Sequence, residues 1–141
     1  MRFWDTSALV PLLVAERETP RAERWLGEDA DVVVWALTRV EILSALARRR
    51  RQEPAAARRL QAARRELLAA WERWSEVTAV DVVRRHAERL VETHPLTAAD
   101  ALQLGAALAA ADNAPGDLDF VTLDRQQADA AEREGFRVLG P

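Results

Sequence analysis

Four short runs rich in β-branched and aromatic residues punctuate the chain: RFW near residue 3, VVVW at 32–35, FVTL at 120–123 and FRVL at 136–139. Long stretches of alanine, leucine and arginine, residues that lose little on entering a helix, lie between them. Strands that alternate with helices are joined by crossovers rather than hairpins. The spacing therefore predicts an α/β fold with a central, mostly parallel β-sheet flanked by helices. Helices are expected at 7–15, 20–28, 39–51, 55–75, 81–93, 98–111 and 125–134. Pro54 in QEPAAA lets one helix stop and the next begin, which makes 39–75 a helical hairpin. With no linker and no internal repeat, the 141 residues suit a single domain spanning 1–141.

Composition narrows the chemistry. The chain has no cysteine, which excludes a disulfide framework, a thiolate nucleophile and a zinc–thiolate site. All 20 basic residues are arginine, so neither a P-loop lysine nor a Schiff base is available. No apolar run is long enough to cross a bilayer, and the N-terminus lacks the pattern of a signal peptide. A cytoplasmic protein without a membrane partner is expected. The net charge of −3 is unevenly spread: residues 39–73 carry ten arginines against Glu41, Glu53, Glu66 and Glu72, a net +6 that leaves −9 elsewhere. Such a basic face suits either a polyanionic partner or a solvated helix surface with its own ion pairs.

The acids carry the sharper signal. Asp5 and Asp124 each follow a strand and precede a helix, which puts both at the carboxyl edge of a parallel sheet, where ligands bind. Glu41, in TRVE, and Asp100, in TAAD, open two further helices. Each acid has a purely structural alternative: Asp5 and Asp124 as N-caps, Glu41 and Asp100 as capping-box partners of Thr38 and Thr97. On a helical wheel, however, Asp100 falls beside Leu104, Ala107, Leu108 and Ala111, the stripe expected to be buried. An inward carboxylate is costly without compensation, and no basic residue lies between Asp100 and Asp124. A divalent cation answers that need. Carboxylates suit Mg²⁺, with Mn²⁺ as a substitute, and such an ion can activate water for attack on a phosphodiester. Asp5 and Asp100 are the expected ligands, and Thr6, Ser7 and Thr122 could hydrogen-bond a metal water or a phosphate.

Four segments, DTSALV, TRVEILSAL, HPLTAADALQLGAAL and FVTLDRQQADAAEREGFRVL, together resemble the PIN-domain nucleases, above all the bacterial VapC-type toxins. The resemblance spans almost the whole chain in order and spacing. It implies an Mg²⁺-dependent endoribonuclease with the quartet Asp5, Glu41, Asp100 and Asp124, acting as a homodimer held in check by a small cognate antitoxin. Many relatives have histidine where this chain has Gln103, a position that is not one of the quartet. Asp119, which begins a strand, competes with Asp124 for the fourth place.

The arginines Arg48–Arg51, with Arg58, Arg59, Arg64 and Arg65, could track an RNA backbone, Arg48 foremost, or hold a partner. Trp71 and Trp74 are spaced for packing on one helix face, and His86 and His94 lack ligand spacing. Neither a GxSxG elbow nor a second aspartate two places after Asp5 is present, which disfavours serine hydrolases and aspartyl phosphatases. The competing reading is a PIN-like module that binds RNA or protein without cutting it.

Overall fold

The computed structural model covers residues 1–141. In chain order its elements are β1 (Arg2–Trp4), α1 (Thr6–Leu13), α2 (Thr19–Glu28), β2 (Val32–Trp35), α3 (Thr38–Gln52), α4 (Ala57–Trp71), β3 (Ser75–Val77), α5 (Val80–Thr93), α6 (Ala98–Ala110), β4 (Asp119–Val121), α7 (Arg125–Arg133) and β5 (Arg137–Leu139). Single 3₁₀ turns at Pro54–Ala56 and Pro115–Asp117 precede α4 and β4. The five strands form one sheet in the order β3-β2-β1-β4-β5, and every pairing is parallel.

Alternation along the strands builds a core on each face of the sheet. Trp4, Val32, Val34 and Val121 point to one side, where they pack with residues of α1, α2, α3 and α4 such as Leu9, Trp25, Ile42 and Leu67. Phe3, Val33, Trp35 and Phe120 point to the other and meet α5, α6 and α7 through Val83, Leu90, Leu104 and Ala131. Phe3 stacks on Phe120 across β1 and β4, with centroids 5.5 Å apart and planes 9° from parallel. Helix α6 lies so close to α5 that a Cβ on Gly105 would stand 2.9 Å from the Val83 carbonyl oxygen, so only glycine fits there. The helices change face because the winding reverses after β3. The two directions part between β1 and β4, and a crevice opens there at the strands' carboxyl ends.

The sheet has one strand more than the sequence suggests. Ser75–Val77 forms the edge strand β3 where the reading of 55–75 as helix had its end, and α4 stops at Trp71. The segment SEV is short and polar, its serine and glutamate are exposed, and it pairs only with β2, so it carries no apolar alternation to read. Trp71 packs in the core with Trp74 tilted against it, but Trp74 lies past the end of α4, so the two meet across a turn rather than on one helix face. No helix is long and apolar enough to cross a membrane.

Candidate active site

The crevice between β1 and β4 is a cleft of about 380 Å³ whose lining includes Asp5, Glu41, Asp100 and Asp124, together with Thr6, Ser7, Glu16, Arg48 and Arg49. Each of the four acids stands at a helix start on a different element. Asp5 caps α1, Glu41 sits in the first turn of α3, Asp100 in that of α6, and Asp124 caps α7. Residues far apart in sequence thus share one rim.

Asp5 is the most buried of the four, at 4% exposure. Its Oδ2 accepts from the Ser7 backbone N–H at 3.1 Å, the Ser7 hydroxyl at 2.5 Å and the Thr122 hydroxyl at 3.0 Å. Burial still dominates and pushes the carboxyl up from 3.8 to about 6; the three bonds pull it down, and the charge of Glu41 adds to the rise. Glu41 Oε2 accepts from the Thr6 hydroxyl at 2.7 Å and from the Gln103 side-chain amide at 3.2 Å. Asp100 Oδ2 accepts from the Thr97 hydroxyl at 2.8 Å, and Asp124 Oδ1 accepts from the Gln127 backbone N–H at 2.8 Å.

One pattern runs through the set. Each carboxylate gives one oxygen to the protein, while Asp5 Oδ1, Glu41 Oε1, Asp100 Oδ1 and Asp124 Oδ2 have no protein partner. None of these four oxygens is sealed from solvent, and none of the four acids takes part in an ion pair. No three acidic or histidine side chains stand close enough to grip an ion between them without water.

Several sequence expectations change at this level. Capping and membership of the cleft are not alternatives: Asp5, Asp124 and Thr97 are true caps, and Asp5 and Asp124 line the cleft as well. Glu41 is no capping partner of Thr38, because Leu37 occupies the cap position and the buried Thr38 hydroxyl turns to Gln103. Asp100 is half-buried at the rim rather than inward in the core, because it stands in the first turn of α6, ahead of the buried stretch that begins at Ala101, with its carboxylate held by the Thr97 hydroxyl. Thr122 is fully buried, and its hydroxyl is used between Asp5, Gln127 and the Asp124 N–H, so it supports the acids without facing the cleft. Asp119 lies at the opposite, amino edge of the sheet, paired with Arg2 and Arg137; the Arg137 hydrogen bond holds its carboxyl below the usual range.

The arginine cluster divides. Arg48 and Arg49 line the cleft, and Arg49 pairs with Glu16 from the loop after α1. Arg50 and Arg64 instead rim a groove between α3 and α4, floored by Leu43, Leu46, Ala47 and Leu60. Glu16 and Gln127 escaped the sequence reading, and Gln103 was noted there without a role. Gln103 left a signal, as the sole polar residue in the apolar run 101–111, and Gln127 stands three places after Asp124, the spacing of a cap partner.

A parallel sheet wound in this order, with carboxylates gathered at its switch point, defines an α/β protein of the PIN class. The chain belongs to the PIN-domain family, whose model matches residues 2–133. It is similar to the proteins named Ribonuclease VapC45 and Ribonuclease VapC49, from two strains of Mycobacterium tuberculosis. Each is 34% identical over 137 residues, 96% of this chain and 92% of the relative. Its fold is similar to that in the crystal structure of FitAcB from Neisseria gonorrhoeae, with a TM-score of 0.63 and 20% identity over 99% of this chain and 96% of the other.

Proposed function

We propose that this chain is a divalent-metal-dependent endoribonuclease that works as one PIN-domain unit and as the toxin of a toxin–antitoxin pair. The observation that carries the reading is the cleft itself: four unpaired carboxylates, each with one oxygen claimed by the protein and one left over. A module that only bound RNA would gain stability by losing the buried charge of Asp5, and an RNA phosphate would meet repulsion there. The relatives named as ribonucleases support the same conclusion.

The donor set fits Mg²⁺, or Mn²⁺ in its place. An ion of this kind keeps several waters and takes one or two carboxylates directly, so it does not need three acids in contact with it. Asp5 and Asp100 would hold it, with Glu41 and Asp124 ordering the surrounding water. When bound, the ion supplies Lewis-acid activation of water and neutralises charge on the phosphodiester. The protein's own part is positional. Ser7 and Thr122 fix the Asp5 oxygen that faces inward, Thr6 fixes Glu41, and the N-terminus of α7 fixes Asp124. Arg48, exposed at the rim, is placed to neutralise a phosphate of the incoming RNA.

The groove between α3 and α4, apolar below and rimmed by Arg50 and Arg64, suits an amphipathic acidic segment of the antitoxin. The same proposal, on the family resemblance, includes a homodimer. The basic test is cleavage of RNA by the purified protein in Mg²⁺ and its loss in EDTA; equal cleavage in both would refute the metal-dependent reading. The division of the arginines gives a second expected result. Arg48→Gln lowers the slope of log affinity for single-stranded RNA against log salt by about 0.7, the share of one phosphate contact. Arg50→Gln leaves that slope unchanged. Salt titrations of RNA binding in EDTA, where no cleavage interferes, check both.

A further inference from the structure

Helix α6 is buried on almost every side from Ala101 to Leu108, and one long polar side chain, Gln103, is enclosed within it at 1% exposure. A buried amide must find partners or cost stability. Gln103 finds them on two other helices: its Nε2 lies 2.9 Å from the Thr6 hydroxyl of α1 and 2.8 Å from the Thr38 hydroxyl of α3. The same nitrogen lies 3.2 Å from Glu41 Oε2.

The direction of these bonds follows from donors and acceptors. An amide nitrogen donates only. Thr6 therefore accepts from Gln103, and its own proton is left to point at the one acceptor beside it, Glu41 Oε2 at 2.7 Å. Gln103, Thr6 and Glu41 form an ordered relay that ends on a carboxylate. Two hydroxyls would satisfy both amide protons of a glutamine that merely bridged helices. Here the chain of bonds runs on to a half-exposed acid on the cleft rim, a side chain with three rotatable bonds that nothing else restrains.

We propose that Gln103 is a positioning residue for the nuclease reaction: through Thr6 it holds Glu41 in one rotamer, with Oε2 tied back and Oε1 presented to the cleft. The assignment rests on the nuclease reading above, and it gives a role to a side chain that touches neither metal nor RNA.

The test uses Gln103→Met, which keeps length and apolar volume and removes both donors. In Mg²⁺ the variant is expected to lose about 10- to 100-fold in kcat, the range for partners that orient a metal-site ligand. KM for RNA should stay within about threefold, since no RNA contact is removed. Adding Gln103→Met to Glu41→Gln should cost nothing further, because a residue that acts only through Glu41 has nothing left to position. Unchanged kcat, or losses that multiply in the double variant, would overturn the proposal. Thr6→Val, which removes the last bond of the relay while leaving Gln103 in place, should reproduce the kcat loss, and Thr6→Ser should restore it; an unchanged kcat in Thr6→Val overturns the relay even if Gln103→Met does not fold. A crystal structure of Gln103→Met or Thr6→Val supplies a readout independent of activity. Glu41 is expected to leave its rotamer, and a Glu41 carboxylate unmoved in the variant refutes the positioning role. Should the wild type cut no RNA at all, the nuclease reading falls, while the rotamer of Glu41 still decides whether Gln103 positions it.

Discussion

Asp5→Asn should give a protein that is more stable and far less active than the wild type at pH 8 without metal in the stability assay. The Asp5 carboxyl is raised from 3.8 to about 6 in the fold, chiefly by burial, so the folded protein holds this proton more tightly than the unfolded chain does. The sign follows from linkage: stability from this group is lost as pH rises from about 4 to about 6, and above that window the wild type carries the full cost of a buried charge. At ~1.4 kcal/mol per pH unit, the cost is on the order of 3 kcal/mol. Asparagine can keep its carbonyl oxygen where Oδ2 accepts from Ser7 and Thr122, and it turns its amide toward the side of Oδ1, which has no protein partner. The weaker neutral hydrogen bonds return part of the gain, leaving about 1–3 kcal/mol, or a rise of several degrees in Tm for a chain of this size. Melting curves from pH 3 to pH 8 should show the two proteins converging below pH 4 and diverging above it. RNA cleavage in Mg²⁺ should fall by about 100-fold or more, since even outer partners of a metal ligand cost 10- to 100-fold. A variant less stable than wild type at pH 8 would show that the charge of Asp5 is compensated by the protein alone.

The response to Mg²⁺ separates capping from metal binding at Asp100. Thr97 caps α6 by accepting from the Asp100 backbone N–H, and that bond does not depend on the Asp100 side chain. Asp100→Ala should therefore melt in EDTA within about 1 kcal/mol of wild type, the loss being a favourable carboxylate at a helix N-terminus and one bond from Thr97. Mg²⁺ should raise the wild-type stability by mass action, about 2.7 kcal/mol at a hundredfold excess over Kd, and should raise that of the variant far less. Paired melting curves in EDTA and in millimolar Mg²⁺ measure both effects. A variant that loses stability in EDTA yet keeps the full response to Mg²⁺ would make Asp100 a residue of the helix end alone.

The parts of this molecule that were legible in the sequence are those where local pattern and tertiary environment agree. Phe3, Val33 and Phe120 sit in short runs of β-formers and face the core, so the strands β1, β2 and β4 could be read directly. Asp5 and Asp124 could be placed because a strand followed at once by a helix start fixes an address on a parallel sheet. Strand β3 could not, since Ser75 and Glu76 are exposed and its identity comes from pairing with Val33 and Val34, which no local pattern encodes. Glu41 was ambiguous for a different reason. Three places after Thr38 it has the spacing of a capping box, and only the arrival of Gln103 from another helix draws the Thr38 hydroxyl away. The sense of the Arg48–Arg51 run was hidden too: consecutive residues on a helix point about 100° apart, so Arg48 and Arg50 reach different surfaces.

The strand order has a consequence in time. β4, the fourth strand made, inserts beside β1, the first, and Asp124 joins Asp5 at their common edge. Translation at about 5–20 residues per second leaves roughly 6–24 s between the synthesis of Asp5 and that of Asp124. Throughout that interval the nascent polypeptide has at most three of the four acids, and β1 lacks the neighbour that closes the crevice. A chain that stops before Asp124 therefore cannot assemble the complete rim, because the fourth acid arrives only with the strand that pairs last with β1.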